Sequence, residues 1–209
     1  MFLFLPRTIG KKLKQLRRLI SETTRIRTEI DTAMNKRDFE QAITLCTQGL
    51  CIDKEAKKLM AEMHGRRARA YAALAKLQLR GPHSAVPSTE EDSAASSPKA
   101  LSMASWKRVL QDCNSCLYYE GTSVATILLK CDALQSLEKY EDAVSELEAI
   151  HSTSLGHDDP QVREKLQQAQ RLLKKSKRIN LYDVLGLQRG ELSTDKEISI
   201  AYKKMALKW

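Results

Sequence analysis

Residues Arg37–Asp53 read "RDFEQAITLCTQGLCID", and Glu138–Ile150 read "EKYEDAVSELEAI". In each, an aromatic (Phe39 or Tyr140) is followed by an acidic residue and then by Ala at plus three, Ala42 or Ala143. Trp106 with Val109 fits the same frame. Four and seven positions further on stand Cys46 and Gly49, Cys113 and Cys116, Leu147 and Ile150. Spacings of three and four put these residues on one helical face. Val109 and Ala143 are 34 positions apart, as are Cys113 and Leu147, and Cys116 and Ile150. Small side chains at such positions let antiparallel helices approach closely, and each helix pair then buries its remaining apolar face on the next pair. The expected fold is all-α.

A period of 34 with small residues inside each helix resembles the tetratricopeptide repeat. The first helices of three units follow from the same periodicity. Ile26, Ile30 and Ala33 mark unit one, Ala68, Tyr71 and Leu74 unit two, and Ile127, Cys131 and Leu134 unit three. The three repeats are expected over 24–157. Unit two is interrupted by "RGPHSAVPSTEEDSAASSPKALSMA", a stretch rich in Ser, Pro and Ala without periodicity. It reads as a disordered insertion at about 80–105, tolerated because lengthening a loop costs little.

Upstream, over 1–23, "KKLKQLRRLI" suggests a separate basic amphipathic helix with Leu13, Leu16, Leu19 and Ile20 turned inward, the remnant of an earlier repeat. Downstream, Asp158 or Asp159 and Pro160 open a further helix over 158–178, since Asp caps and Pro at the first helical position are start signals. Val162, Leu166, Ala169, Leu172 and Leu173 give this helix its stripe, and it would cap the array.

The 209 residues hold only 8 Gly, 5 Pro and 5% aromatics, a helical composition rather than a sheet one. The net charge of +9 is compatible with acidic partners without selecting one. Five cysteines in a chain of this size speak for reduced thiols and a cytoplasmic or nuclear compartment. A mitochondrial presequence is the minor alternative, because no acidic residue precedes Glu22. Cys113 and Cys116 form a lone C-x-x-C at packing positions, without the second pair that zinc needs. No role follows for His64, His83, His151 or His157. With no phosphate-binding Gly loop, nucleophile elbow or paired-carboxylate motif, the chain does not read as an enzyme, and neither a cofactor nor a metal is expected. Basic charge without an aromatic stacking platform argues against nucleic acid, and no membrane partner is expected.

Residues 180–209 contain "LYDVLGL" (Leu181–Leu187) and "STDKEISIAYKKMALKW" (Ser193–Trp209), the second opening on a capping-box pattern at Thr194 and Glu197. Tyr182, Leu185–Gly186 and Ala201–Tyr202–Lys203 at these separations resemble the J-domain of DnaJ-type (heat-shock protein 40) co-chaperones. With the repeats and the junction "RLLKKSKRINLYDVLGL", the chain is similar to the tetratricopeptide-repeat DnaJ co-chaperones of the subfamily C member 7 type. That resemblance implies a second J-domain helix docking on heat-shock protein 70 through Tyr202, Lys203 and Lys204. Lysines on one face suit an acidic surface. Ser199 and Ile200 stand where basic residues are usual, which would weaken docking. It also implies a His-Pro-Asp loop that triggers ATP hydrolysis, directly after the aromatic matched by Trp209. The 209 residues contain no His-Pro-Asp, so 180–209 reads as a partial J-domain.

Some repeat proteins of this kind clamp acidic C-terminal tails with Lys, Arg and Asn, the expected chemistry for carboxylates. The resemblance places Arg27 at the first basic clamp position. Asp31 and Arg66 stand at two Asn positions, and Ala125 and Leu129 replace the last Lys and Arg. The expected function is a co-chaperone adaptor. Its partners would be heat-shock protein 70, with heat-shock protein 90 or client polypeptides as further candidates. The alternative is a passive repeat scaffold with an inert J-domain remnant.

Overall fold

In the computed structural model the described residues are 7–79, 97–178, 184–187 and 194–207. Among them the chain forms eight helices. These are α1 (Arg7–Asn35), α2 (Phe39–Gly49), α3 (Lys57–Leu79), α4 (Pro98–Glu120), α5 (Val124–Ser136), α6 (Tyr140–His151), α7 (Pro160–Ser176) and α8 (Asp195–Ala206). The chain divides into two compact units, Met1–Ala169 and Gln170–Trp209, with the division falling inside α7.

In the first unit, helices packed on their chain neighbours form three hairpins, α1–α2, α3–α4 and α5–α6, and α3 also meets α5. Every small or apolar position of the repeat pattern is buried: Ala42, Cys46 and Gly49, Val109, Cys113 and Cys116, Ala143, Leu147 and Ile150. Gly49 shows what a small residue does at a crossing. A Cβ there would lie 2.5 Å from Met63 Sδ of α3 and 3.6 Å from Ile26 of α1. Two clusters of the core share α3. Leu59, Met63 and Ala70 face repeat one, whereas Ala68, Ala72 and Ala75 join Trp106, Val109 and Cys113.

The turns inside repeats one and three are the same device. Arg37 and Glu138 both take φ 61°, the left-handed region. In the first, Asp38 N–H donates to Ala33 O and Arg37 N–H to Met34 O. In the second, Lys139 N–H donates to Leu134 O and Glu138 N–H to Gln135 O. This is the paired closure of a Schellman end, which usually places Gly at the left-handed position. Asp38 then caps α2 by accepting from Gln41 N–H at 3.1 Å.

Three expectations need correction. The basic segment over 1–23 is not a separate helix: α1 runs unbroken through Thr23 and Thr24. Their hydroxyls donate back to Leu19 O and Ile20 O at 2.7 and 2.8 Å, so the pair causes no break. Leu13, Leu16 and Ile20 are exposed and not inward, and Leu19 is half-buried. The insertion expected at about 80–105 ends earlier, because α4 begins at Pro98 with Ser97 as its cap, accepting from Ala100 N–H at 3.2 Å. Residues 98–105 are helical because their small polar side chains have partners on α3. Buried Ser102 donates to Ala75 O and buried Ser105 to Gln78 Oε1, at 3.1 and 3.0 Å. His83 and the rest of 80–96 lie outside the described residues. Finally, His64 has a definite partner, given below. Downstream, Asp159 caps α7 as expected, accepting from Gln161 N–H at 2.8 Å.

In the second unit the capping box at α8 forms in both directions. Glu197 N–H donates to Thr194 Oγ1, and Thr194 N–H donates to Glu197 Oε2. Gly186 takes φ 70°, as a helix-ending Gly does. Tyr182 and Trp209 lie outside the described residues.

Candidate repeat groove and helix surface

Helices α3, α4 and α5 and the start of α7 enclose a groove of about 950 Å³. Its α3 wall is built from Ala61, Gly65 and Ala68, and its α5 wall from Ala125, Leu128 and Leu129. Small residues on one side and leucines on the other leave an apolar slot. The α5 wall lacks the Lys and Arg that the clamp resemblance would require at Ala125 and Leu129. Where α5 and α7 meet the groove, Lys165 Nζ is paired with Asp132 Oδ1 at 2.5 Å, so that cation is also taken. Lys58, Arg69, Glu120, Ser123, Thr126 and Gln161 add polar groups to the lining.

The three clamp-position residues come together with a fourth that the sequence did not single out, Glu62. Arg27 Nε donates to Glu62 Oε1 and Oε2 at 2.9 and 3.1 Å, and its Nη2 donates to Oε2 at 2.5 Å. Arg66 Nε donates to Glu62 Oε1 at 3.0 Å and Arg66 Nη1 to Asp31 Oδ1 at 2.5 Å. Two guanidinium groups and two carboxylates therefore form a linear, charge-balanced chain across α1 and α3. Glu62 also lines the groove. Asp31 is thus a partner of Arg66. The pairing was visible in principle: Arg27–Glu62 and Asp31–Arg66 are each 35 residues apart, about one repeat.

A second network lies between α3 and α4. Buried Asp112 accepts from Arg67 Nε and Nη2 at 2.8 and 2.7 Å and from His64 Nδ1 at 2.8 Å. An ionised carboxylate only accepts, so His64 carries the proton on Nδ1. Arg67 Nη1 also donates to Thr47 Oγ1 of α2 at 3.1 Å. Burial raises the Asp112 pKa, but the His64 and Arg67 hydrogen bonds outweigh it, and the carboxyl titrates below its ordinary value. The signal in the sequence was Asp112 itself, an acid directly beside Cys113 on the packing face of a helix.

Cys46 is pushed up to about 11, and Cys113 and Cys131 to about 12, in each case chiefly by burial. Cys113 and Cys116 are packing residues, as expected, and both also reach the groove. Cys51, just past α2, is exposed. Among the described residues no cluster of His, Cys, Asp and Glu could hold a metal ion.

In the second unit, Tyr202, Lys203 and Lys204 are all exposed on α8, Tyr202 at 66%. Ile198, Ala201 and Met205 are half-buried on another face, and no residue of α8 is buried. The helix thus offers an aromatic and two ammonium groups to solvent on adjacent positions.

No protein-family model matches the chain. Over 97 residues, 46% of its length, it is 35% identical to DnaJ homolog subfamily C member 3 of Rattus norvegicus, covering 18% of that protein. It is 32% identical to DnaJ homolog subfamily C member 7 of Homo sapiens over 98 residues, 47% of this chain and 19% of that one. It is 34% identical to the DnaJ protein P58IPK homolog of Arabidopsis thaliana over 100 residues, 48% and 20%. The match thus spans about a fifth of the length of these relatives. Among solved structures it is similar to the second TPR domain of the human RPAP3 protein, determined in complex with the HSP70 peptide SGPTIEEVD. The TM-score is 0.52 at 15% identity, over 73% of this chain and 98% of that one. It is likewise similar to the Arabidopsis OM64 TPR domain, with a TM-score of 0.51 at 13% identity over the same shares. These likenesses establish the fold as that of a tetratricopeptide-repeat domain.

Proposed function

We propose that this chain, a tetratricopeptide-repeat homologue of the DnaJ subfamily C proteins, works as a co-chaperone adaptor. Its repeat groove holds a polypeptide segment of a chaperone or client, and α8 docks on heat-shock protein 70 through Tyr202, Lys203 and Lys204. The observation that carries the reading is the open groove of small and apolar residues beside an arginine pair that is already neutralised.

The arginine pair decides what kind of segment the groove favours. The RPAP3 domain holds a peptide with three acidic residues. Here such a tail would have to displace Glu62 and Asp31 from Arg27 and Arg66, exchanging one set of charge-assisted bonds for another with little net gain. An internal segment that places an apolar side chain between Ala61 and Leu129 meets no such competition, and burial of apolar area favours it. Client segments, or internal chaperone segments, are therefore the favoured occupants over acidic C-terminal tails.

Two titrations test this. Fluorescence anisotropy should show weak binding of labelled SGPTIEEVD and tighter binding of an apolar internal peptide. Tight acidic-peptide binding that Arg27→Ala abolishes would overturn the groove assignment. For α8, heat-shock protein 70 binding should fall when Lys203 and Lys204 are replaced by Glu, because the docking is charge-steered. The 209 residues hold no His-Pro-Asp and should bind without stimulating ATP hydrolysis. Absence of heat-shock protein 70 binding would favour the passive scaffold.

A further inference from the structure

The first half of α1 carries a surface that the repeats do not use. Leu13, Leu16 and Ile20, spaced three and four apart, fall on one stripe and are 45%, 53% and 65% exposed. Residues 11–18 are exposed without exception. Over residues 10–35 of α1 the first buried one is Ile26, which meets Gly49 at the end of α2. Arg27 pairs with Glu62, only five positions into α3. The two elements beside α1 therefore leave its first turns unaccompanied. About fourteen residues project past them, some 20 Å at 1.5 Å per residue.

This free length is cationic throughout. Lys11, Lys12, Lys14, Arg17 and Arg18 surround the stripe, none of them in an ion pair among the described residues, and no acidic residue precedes Glu22. In sequence the helix follows Phe2, Leu3, Phe4 and Leu5. A second copy laid along the stripe would bring like charges together, which opposes self-association. A narrow apolar stripe flanked on both sides by Lys and Arg, with no acids, is instead the pattern of a helix that lies in a membrane interface. That differs from spanning a bilayer, for which no described helix is long and apolar enough.

We infer that the projecting half of α1 binds the surface of an anionic lipid membrane. Leu13, Leu16 and Ile20 enter the headgroup boundary, and Lys11, Lys12, Lys14, Arg17 and Arg18 contact the anionic lipids. The repeats are thereby held at the surface with their groove free.

Sedimentation of the 209-residue chain with phosphatidylcholine vesicles, with and without phosphatidylserine, tests this. Binding should require phosphatidylserine and weaken with added salt. Lys12→Gln and Arg17→Gln should each lower the partition coefficient roughly fivefold. Leu16→Ser with Ile20→Ser should lower it by at least tenfold or so. These side chains lie outside the repeat core, so circular dichroism and groove-peptide binding should not change. The proposal fails if no protein sediments with anionic vesicles at low salt, or if the Leu16→Ser/Ile20→Ser variant binds as well as the parent. It also fails if the stripe instead mediates a dimer in analytical ultracentrifugation, or binds an acidic amphipathic peptide but no vesicle.

Discussion

Helix α3 sends two arginine–carboxylate networks in different directions, and they differ in what surrounds them. Toward α4, Arg67 and His64 hold Asp112 where water does not reach. Toward α1, Glu62 binds Arg27 and Arg66 at the edge of the groove, with all three side chains partly in solvent. Similar bonds of similar length follow from the same residue types, yet their consequences diverge. A buried carboxylate that loses a partner leaves an uncompensated charge, whereas a solvated one exchanges its partner for water. The first network locks the α3–α4 hairpin. The second can be opened by a ligand.

The sharpest way to break this contrast is to cut each network once. Asp112→Ala leaves half-buried Arg67 and His64 without the carboxylate that holds them and should cost up to about 3–5 kcal/mol in urea unfolding. Glu62→Gln should cost under about 1 kcal/mol. If the two cost the same, burial does not separate them. Glu62→Gln should also free Arg27, while Asp31 still holds Arg66, and should strengthen SGPTIEEVD binding, while Asp112 substitutions that remain folded should not.

Packing at the hairpin crossings comes next in size. Gly49→Ala drives a Cβ into the fully buried side chain of Met63, which must shift, and should cost about 1–3 kcal/mol. Gly156→Ala should cost more than Gly49→Ala, because its Cβ would meet the Ile150 carbonyl oxygen at 2.4 Å, and backbone must move.

The pH dependence separates the networks again. Asp112 titrates lower in the folded than in the unfolded chain. Its contribution is therefore present above the unfolded value and lost as pH falls through the lower, folded one. The thiols act in the opposite sense. With Cys46 raised to about 11 and Cys113 and Cys131 to about 12, their stabilisation is present below the ordinary thiol range and lost as pH climbs through it. Unfolding midpoints should fall in acid and again above about pH 9. Asp112→Asn should blunt only the acid limb.

The smallest effect concerns the turns. Arg37 and Glu138 hold left-handed backbone at a steric cost that Gly escapes. Arg37→Gly and Glu138→Gly should each stabilise by up to about 1 kcal/mol, less the added freedom of the unfolded chain. A loss of stability would mean that these side chains contribute more than their backbone strain costs.

These contrasts also explain which parts of the molecule could be read from sequence. The hairpins were legible because Ala42, Cys46 and Gly49 recur as Ala143, Leu147 and Ile150 in a pattern set by helix geometry alone. The capping box at Thr194 was legible because both partners lie within one turn. Asp112 was not, since its partners are 45 and 48 residues away across an insertion that hides the register. The continuity of α1 was not legible because its basic stretch around Leu13, Leu16 and Ile20 and its buried stretch at Ile26, Ile30 and Ala33 read as two neighbouring amphipathic helices. Arg27 and Arg66 were singled out by resemblance, but their neutralisation by Glu62 and Asp31 depends on how adjacent repeats align.

The burial of the cysteines has a practical side. Cys46, Cys113, Cys116 and Cys131 are shielded by packing, and their raised pKa values keep them as unreactive thiols near neutral pH. Cys51 alone stands in solvent, on the short link between α2 and α3. A maleimide dye should therefore attach at one place on the folded, unaltered chain. That would place a reporter on the first repeat, and loss of its single-site stoichiometry would give a direct optical measure of when the repeats come apart.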